Sequence, residues 1–160
     1  HPESGAHSRR VRDICKRIGG GYFTDPDQLR ILESAALLHD IGKLFIPTEL
    51  LSKPGPLDAQ EWETLQMHPV LGYEILYPTY PAEAVVARNH HKFGERRYPI
   101  ENSYDDFNLI ARVVAFADVY DALVNPRSYK RPWDAGEAKR ELYSTFRQHD
   151  KAVERFLELV

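Results

Sequence analysis

The chain has 160 residues, 21 Lys and Arg against 24 Asp and Glu, a formal charge of −3 and 42% hydrophobic residues. That length can bury a core without staples and fits one domain over residues 1–160, while a slightly acidic balance lacks the basic stripe that duplex nucleic acid requires. One cysteine, Cys15, excludes a disulfide framework within the chain and fits a reducing, cytoplasmic setting; no apolar run approaches the roughly 20 residues that span a bilayer, so no membrane contact is expected.

Val11, Ile14, Cys15 and Ile18 repeat at helical spacing, and Gly19-Gly20-Gly21 then stops the pattern, which predicts a first helix over 3–18. Asp25-Pro26 reads as an N-cap with proline at the first helical position. It opens a second helix carrying Leu29, Leu32, Ala35, Ala36 and Leu37 to His39-Asp40 at its far end. Pro47, Pro54, Gly55 and Pro56 make a short connection. Asp58 and Glu61 then form a capping box at the head of a helix expected to run through Leu65 to Leu76 with His68 midway.

A helix over 82–91 ends in His90-His91, and residues 92–106 read as loop. Further helices are expected over 108–123, from an Asp134 cap over 135–146, and over 151–159. Alternating apolar patterns of useful length are lacking, so the architecture is all-α. The chain begins at His1 rather than methionine, with a candidate ligand already at Glu3. It is therefore expected to be a domain of something longer, with a sensor or receiver segment upstream.

Eight residues carry imidazole or carboxylate in a metal-binding pattern: His39 and Asp40 themselves, with Glu3, His7, His68, His90, His91 and Asp118 along the chain. Mixed imidazole and carboxylate donors suit Mn, Fe or Zn better than an ion that takes oxygen alone. Glu3 and His7 are four apart and share a helix face. An ordinary exposed pair would show the same spacing. Adjacent His39 and Asp40 cannot both follow one face of an ideal helix, so the helix is expected to end there, with Gly42 loosening the turn. Asp40, behind Ala35-Ala36-Leu37-Leu38, is costly to bury without a compensating cation and is placed to bridge two. His68 alone would read as a packed histidine beneath Met67 and Leu71. Asp118 sits between Phe116-Ala117 and Val119-Tyr120, where an unpaired carboxylate is unfavourable. Asp121 reads as a capping or supporting partner rather than a ligand.

These segments resemble the HD-GYP phosphodiesterases of the HD metal-dependent phosphohydrolase superfamily. The matching blocks are Glu3-x-x-x-His7-x-x-Arg10-Val11; Leu38-His39-Asp40-Ile41-Gly42-Lys43; Ile46-Pro47 with Lys53-Pro54-Gly55; Met67-His68-x-x-x-Gly72; His90-His91; Ala117-Asp118-Val119-Tyr120-Asp121-Ala122-Leu123; and Arg127-Ser128-Tyr129-Lys130. The resemblance implies an HD-type helical bundle in which several helices converge their ligands. It implies two or three divalent ions, Fe or Mn favoured, on Glu3, His7, His39, Asp40, His68, His90, His91 and Asp118. The implied reaction is hydrolysis of a cyclic dinucleotide, cyclic di-GMP foremost, in bacterial signalling. Asp40 and Lys43 would be catalytic, and Lys43, Arg97, Tyr98, Pro99, Arg127 and Lys130 would contact substrate.

One loop departs from the pattern. Where the family has His-His-Glu-x-x-Asp-Gly-x-Gly-Tyr-Pro, the chain reads His90-His91-Lys92-Phe93-Gly94-Glu95-Arg96-Arg97-Tyr98-Pro99, one residue shorter, with Arg97 in the glycine position and Lys92 in that of the glutamate. Glycine there would allow backbone conformations that Arg does not. The change bears on substrate identity, turnover and protein contacts through this loop. Rival expectations are therefore another nucleotide as substrate, or a metal-bound effector that senses the nucleotide and signals by protein contacts. Cations cluster nearby at Lys43, Lys53, Lys92, Arg96, Arg97, Arg127, Lys130 and Arg131; for Arg96 and Arg131 a solvated surface is as good a reading as binding.

Overall fold

A computed structural model describes residues 2–92, 98, 109–125, 131–146 and 150–160. Among the described residues the regular structure is helical throughout: α1 (Pro2–Ile18), α2 (Pro26–Leu38), α3 (Thr48–Leu51), α4 (Ala59–Leu65), α5 (His68–Leu76), α6 (Pro81–Asn89), α7 (Leu109–Val124), α8 (Ala135–Phe146) and α9 (Asp150–Leu159). Short 3-10 turns follow α1 at Gly19–Gly21 and α2 at Ile41–Phe45.

The caps form where local chemistry calls for them. Asp25 accepts from the Asp27 amide at 2.9 Å, and Pro26 opens α2. Asp58 and Glu61 close a reciprocal capping box on α4, and the Asp134 carboxylate accepts from the Glu137 amide at the head of α8. Each such cap is worth about 1 kcal/mol.

The apolar stripe Val11, Cys15, Ile18 of α1 is fully buried against Leu32, Ala35 and Ala36 of α2 and Val113, Val114 and Phe116 of α7. Phe116 in turn meets Phe146 of α8 edge-on at 4.9 Å and Phe156 of α9 at 5.8 Å. Burial of each such side chain contributes roughly 1.5–3 kcal/mol. A smaller cluster of Leu76, Ala84 and Ala87 joins α5 to α6. Between α2 and α6, buried Glu83 accepts from the Ser34 hydroxyl at 2.7 Å. The bundle thus fixes the far ends of α2 and α6 beside the polar faces of α1 and α7.

Two expectations need correction. The helix expected from residue 58 to 76 is two helices: α4 ends at Leu65, and His68 is the first residue of α5, not its middle. Pro69, lacking an N–H and clashing with the preceding turn, suits only the first turn of a new helix. Gly42, expected to loosen the turn, instead serves a close approach. A Cβ there would stand 1.9 Å from the His68 carbonyl oxygen and 2.6 Å from the Gly72 amide nitrogen. Among the described residues Gly55 is the glycine with positive φ, at 124°.

Candidate metal centre

Three of the histidines share one local device. A helix leaves its last carbonyls without amide partners, and a histidine just past the end can donate to one of them. His39, the residue after α2, bonds through Nδ1 to the Ala36 carbonyl at 2.8 Å. His68, three residues after α4 ends, reaches the Leu65 carbonyl at 2.7 Å, and His90, the residue after α6, reaches that of Ala87 at 2.8 Å. With Nδ1–H donating, Nε2 of each ring is the lone-pair nitrogen, the tautomer that binds metal. All three Nε2 atoms are buried without a hydrogen-bond partner, as is Asp40 Oδ1. Four orphaned donor atoms in one interior would be costly as an apolar core, and they fit a cation.

Asp40 stands between two groups. Its Oδ2 lies 3.4 Å from His39 Nε2, and its Oδ1 lies 3.3 Å from His68 Nε2 and 3.7 Å from His90 Nε2. Ligand atoms of Asp40, His68, His90 and His91 lie within 4.8 Å of one another, and those of His7, His39 and Asp118 form a second such group. The break from α2 into the 3-10 turn is what lets adjacent His39 and Asp40 both face the centre. The helix end expected at His39-Asp40 is therefore present, for that reason.

The second group is held from behind. His7 Nε2 lies 2.9 Å from Asp118 Oδ1, and Nδ1 lies 2.7 Å from Asp121 Oδ2. Asp121 is itself gripped by Arg10, through Nε at 2.8 Å and Nη2 at 2.9 Å, and by the Asn125 amide at 2.8 Å. Asp121 is thus a supporting partner of His7, as its position suggested. The parts played by Arg10 and Asn125 were not read from the sequence, although Arg10 is three residues from His7 and Asn125 four from Asp121, on shared helix faces.

Protonation follows the same arrangement. Burial would lower the His7 pKa, but the Asp118 and Asp121 carboxylates raise it to about 9. Burial works against charge on Asp40 and Asp118 too; Lys43 and His39 hold the first, and His7 and His39 the second, well below the usual carboxylate range. His90, by burial, is pushed down to about 4, and His91 is lowered by burial and by His90. The centre therefore pairs ionised carboxylates with two firmly neutral imidazoles, a donor set suited to borderline divalent metals.

Lys43 places Nζ 2.5 Å from Asp40 Oδ2, at the edge of the centre. Tyr98 is buried and stacks on His91 with ring centroids 4.6 Å apart, and it also meets the rings of His68 and Trp62 at 6.1 and 6.0 Å. Lys53 pairs with Glu61 rather than facing the centre. The Glu3 backbone belongs to α1, one turn before His7, but its side chain lies outside the described residues, as do Arg96, Arg97, Pro99, Arg127 and Lys130.

A family model described as HD domain matches residues 1–153. The chain belongs to the HD domain family. It is 39% identical over 163 residues to the 3'3'-cGAMP-specific phosphodiesterase 2 of Vibrio cholerae, covering 98% of this chain and 31% of that protein. It is 39% identical over 144 residues to the cyclic di-GMP phosphodiesterase response regulator RpfG of Xanthomonas campestris, covering 87% and 38%. A cyclic di-GMP phosphodiesterase of Thermotoga maritima is 34% identical over 164 residues, covering 98% and 45%. The chain thus spans less than half the length of these curated relatives. The fold matches the HD domain of L. monocytogenes phosphodiesterase PgpH, solved in complex with cyclic-di-AMP, with a TM-score of 0.73 at 15% identity over 99% of this chain and 88% of that one.

Proposed function

We propose that the chain is the metal-dependent phosphodiesterase domain of a larger cytoplasmic signalling protein, hydrolysing a cyclic dinucleotide, cyclic di-GMP foremost, to the linear dinucleotide and on to GMP. The observation that carries this reading is Asp40, whose two oxygens face separate histidine groups 3.3 to 3.7 Å away. Names of the relatives, all cyclic dinucleotide phosphodiesterases, support the substrate class.

In this reading His7, His39 and Asp118 would hold one ion and His68, His90 and His91 the other, with Asp40 as the carboxylate shared between the two groups. Fe or Mn are the favoured metals, and Glu3 is the candidate for a third. Two such ions, when bound, would supply an acidified water and neutralise charge on the reacting phosphate. Lys43 leaves Asp40 to meet a phosphoryl oxygen, adding a cation where negative charge grows. Arg127, Lys130, Arg97 and Pro99 are proposed phosphate and nucleotide contacts. Tyr98 walls the site and holds His91 in plane. Residues 1–160 act as one domain, with a regulatory segment upstream.

A second reading, a metal-bound effector with little turnover, is favoured by Arg97 and Lys92 in place of the glycine and glutamate of the resembling family. Partner proteins would then meet the altered loop. Anaerobic metal analysis joined to product chromatography over a panel of cyclic dinucleotides tests both. Two or more ions per chain with conversion of one cyclic dinucleotide establishes the first reading; tight nucleotide binding to metal-replete protein without product overturns it in favour of the second.

A further inference from the structure

Trp62 of α4 is half-buried, and its ring meets Tyr98 edge-on at 6.0 Å; Tyr98 in turn lies on His91 at 4.6 Å. The indole is therefore two ring contacts from the metal centre. It also lines an open groove of about 420 Å3, with Pro56, Leu57, Asp58 and Ala59 along the other walls.

The chemistry of the groove is that of a site for a flat, neutral, hydrogen-bond-donating ring. Its apolar walls are proline, leucine, alanine and indole. An anion is not favoured there, because the Asp58 and Glu61 amides at the head of α4 are already taken by the reciprocal cap, and the neighbouring Lys53 ammonium is paired with Glu61 at 2.5 Å. Asp58 uses Oδ1 for the cap. Its carboxylate is exposed and keeps Oδ2 as an acceptor in the groove that the indole also lines. Guanine presents two adjacent donors, N1–H and the exocyclic amine, which suit a carboxylate; adenine presents an acceptor at N1 and repels it.

We propose that the groove beside Trp62 receives one guanine base of the dinucleotide, with the indole as stacking partner and Asp58 as the group that prefers guanine to adenine. The inference rests on the phosphodiesterase reading for the identity of the ligand. A nucleotide with its phosphate at the metal centre extends its base over Tyr98 toward Trp62.

The test is equilibrium binding of hydrolysis-resistant phosphorothioate analogues of cyclic di-GMP and cyclic di-AMP to metal-loaded protein. Trp62→Ala should weaken cyclic di-GMP binding ~5- to 150-fold, the range for loss of one stacked base, while Trp62→Phe retains most of the affinity. Asp58→Asn keeps a good N-cap, so α4 persists. It should lose affinity for the guanine ligand and not for the adenine one, a base-selective change that a merely structural role would not produce. Unchanged cyclic di-GMP affinity in Trp62→Ala, or equal losses for both ligands in Asp58→Asn, overturns the proposal. Turnover by the wild type beside those unchanged affinities would leave the phosphodiesterase reading intact; base-selective binding without turnover would do the reverse. A wild type that binds neither analogue overturns both.

Discussion

His7 and Asp121, 114 residues apart in the chain, meet with Nδ1 2.7 Å from Oδ2, and through that contact the imidazole presents Nε2 to Asp118. A carboxylate behind a metal-binding histidine fixes its ring and raises its basicity. Asp121→Asn should therefore lower affinity for one ion by roughly 10- to 100-fold while the other stays bound. Chelator competition followed by elemental analysis measures this. Equal retention of all ions by Asp121→Asn would show that Asp121 serves Arg10 and the fold alone.

Asp40→Asn should abolish hydrolysis and leave the helical signal in circular dichroism unchanged. The amide keeps the shape of the side chain but not the charge between the two histidine groups, and it would set an N–H2 toward one of them. Turnover near that of the wild type, in metal-loaded Asp40→Asn, would remove Asp40 from the bridging position.

The helices and caps were legible because they rest on local chemistry: the apolar period of Val11, Cys15 and Ile18, and the side-chain oxygens of Asp25, Asp58 and Asp134 at helix heads. The gathering of His7, His39, Asp40, His68, His90 and Asp118 was foreseen through motif resemblance rather than periodicity, since no local rule says which helices meet. What escaped the sequence reading was tertiary. The break before His68 follows from Pro69 and from the need for His68 to reach the Leu65 carbonyl. The closeness required at Gly42 depends on α5 lying against the 3-10 turn, and Trp62 meets Tyr98 across 36 residues of chain.

Gly42→Ala should destabilise the protein by roughly 1–3 kcal/mol, the usual cost of overpacking. Its Cβ would lie 1.9 Å from a backbone oxygen, which no rotamer can relieve, so α5 must move and take His68 with it. Urea denaturation should show the loss of stability, and metal analysis a weakened site at Asp40, His68, His90 and His91. A Gly42→Ala protein with wild-type midpoint would mean that the turn has room to shift.

The fall of stability with rising pH should be abolished by metal. In chelated protein His7 has a folded pKa of about 9 against an unfolded value near 6.5. Below 6.5 both states carry the proton and the full contribution of its two carboxylate bonds is present; as pH rises through 9 the folded state gives the proton up and the contribution is lost, up to about 3 kcal/mol. His39, also raised, adds to the same slope. A metal requires these imidazoles neutral, so its binding competes with the proton and strengthens over the same interval; that gain offsets the loss, and metal-loaded protein, with no proton on these rings in either state above 6.5, should hold nearly constant stability where chelated protein loses it. Denaturation midpoints between pH 6.5 and 9, with and without chelator, measure both slopes. His7→Gln should flatten the chelated one, because Gln has no proton to lose; a chelated slope unchanged in His7→Gln would assign the titration to another group.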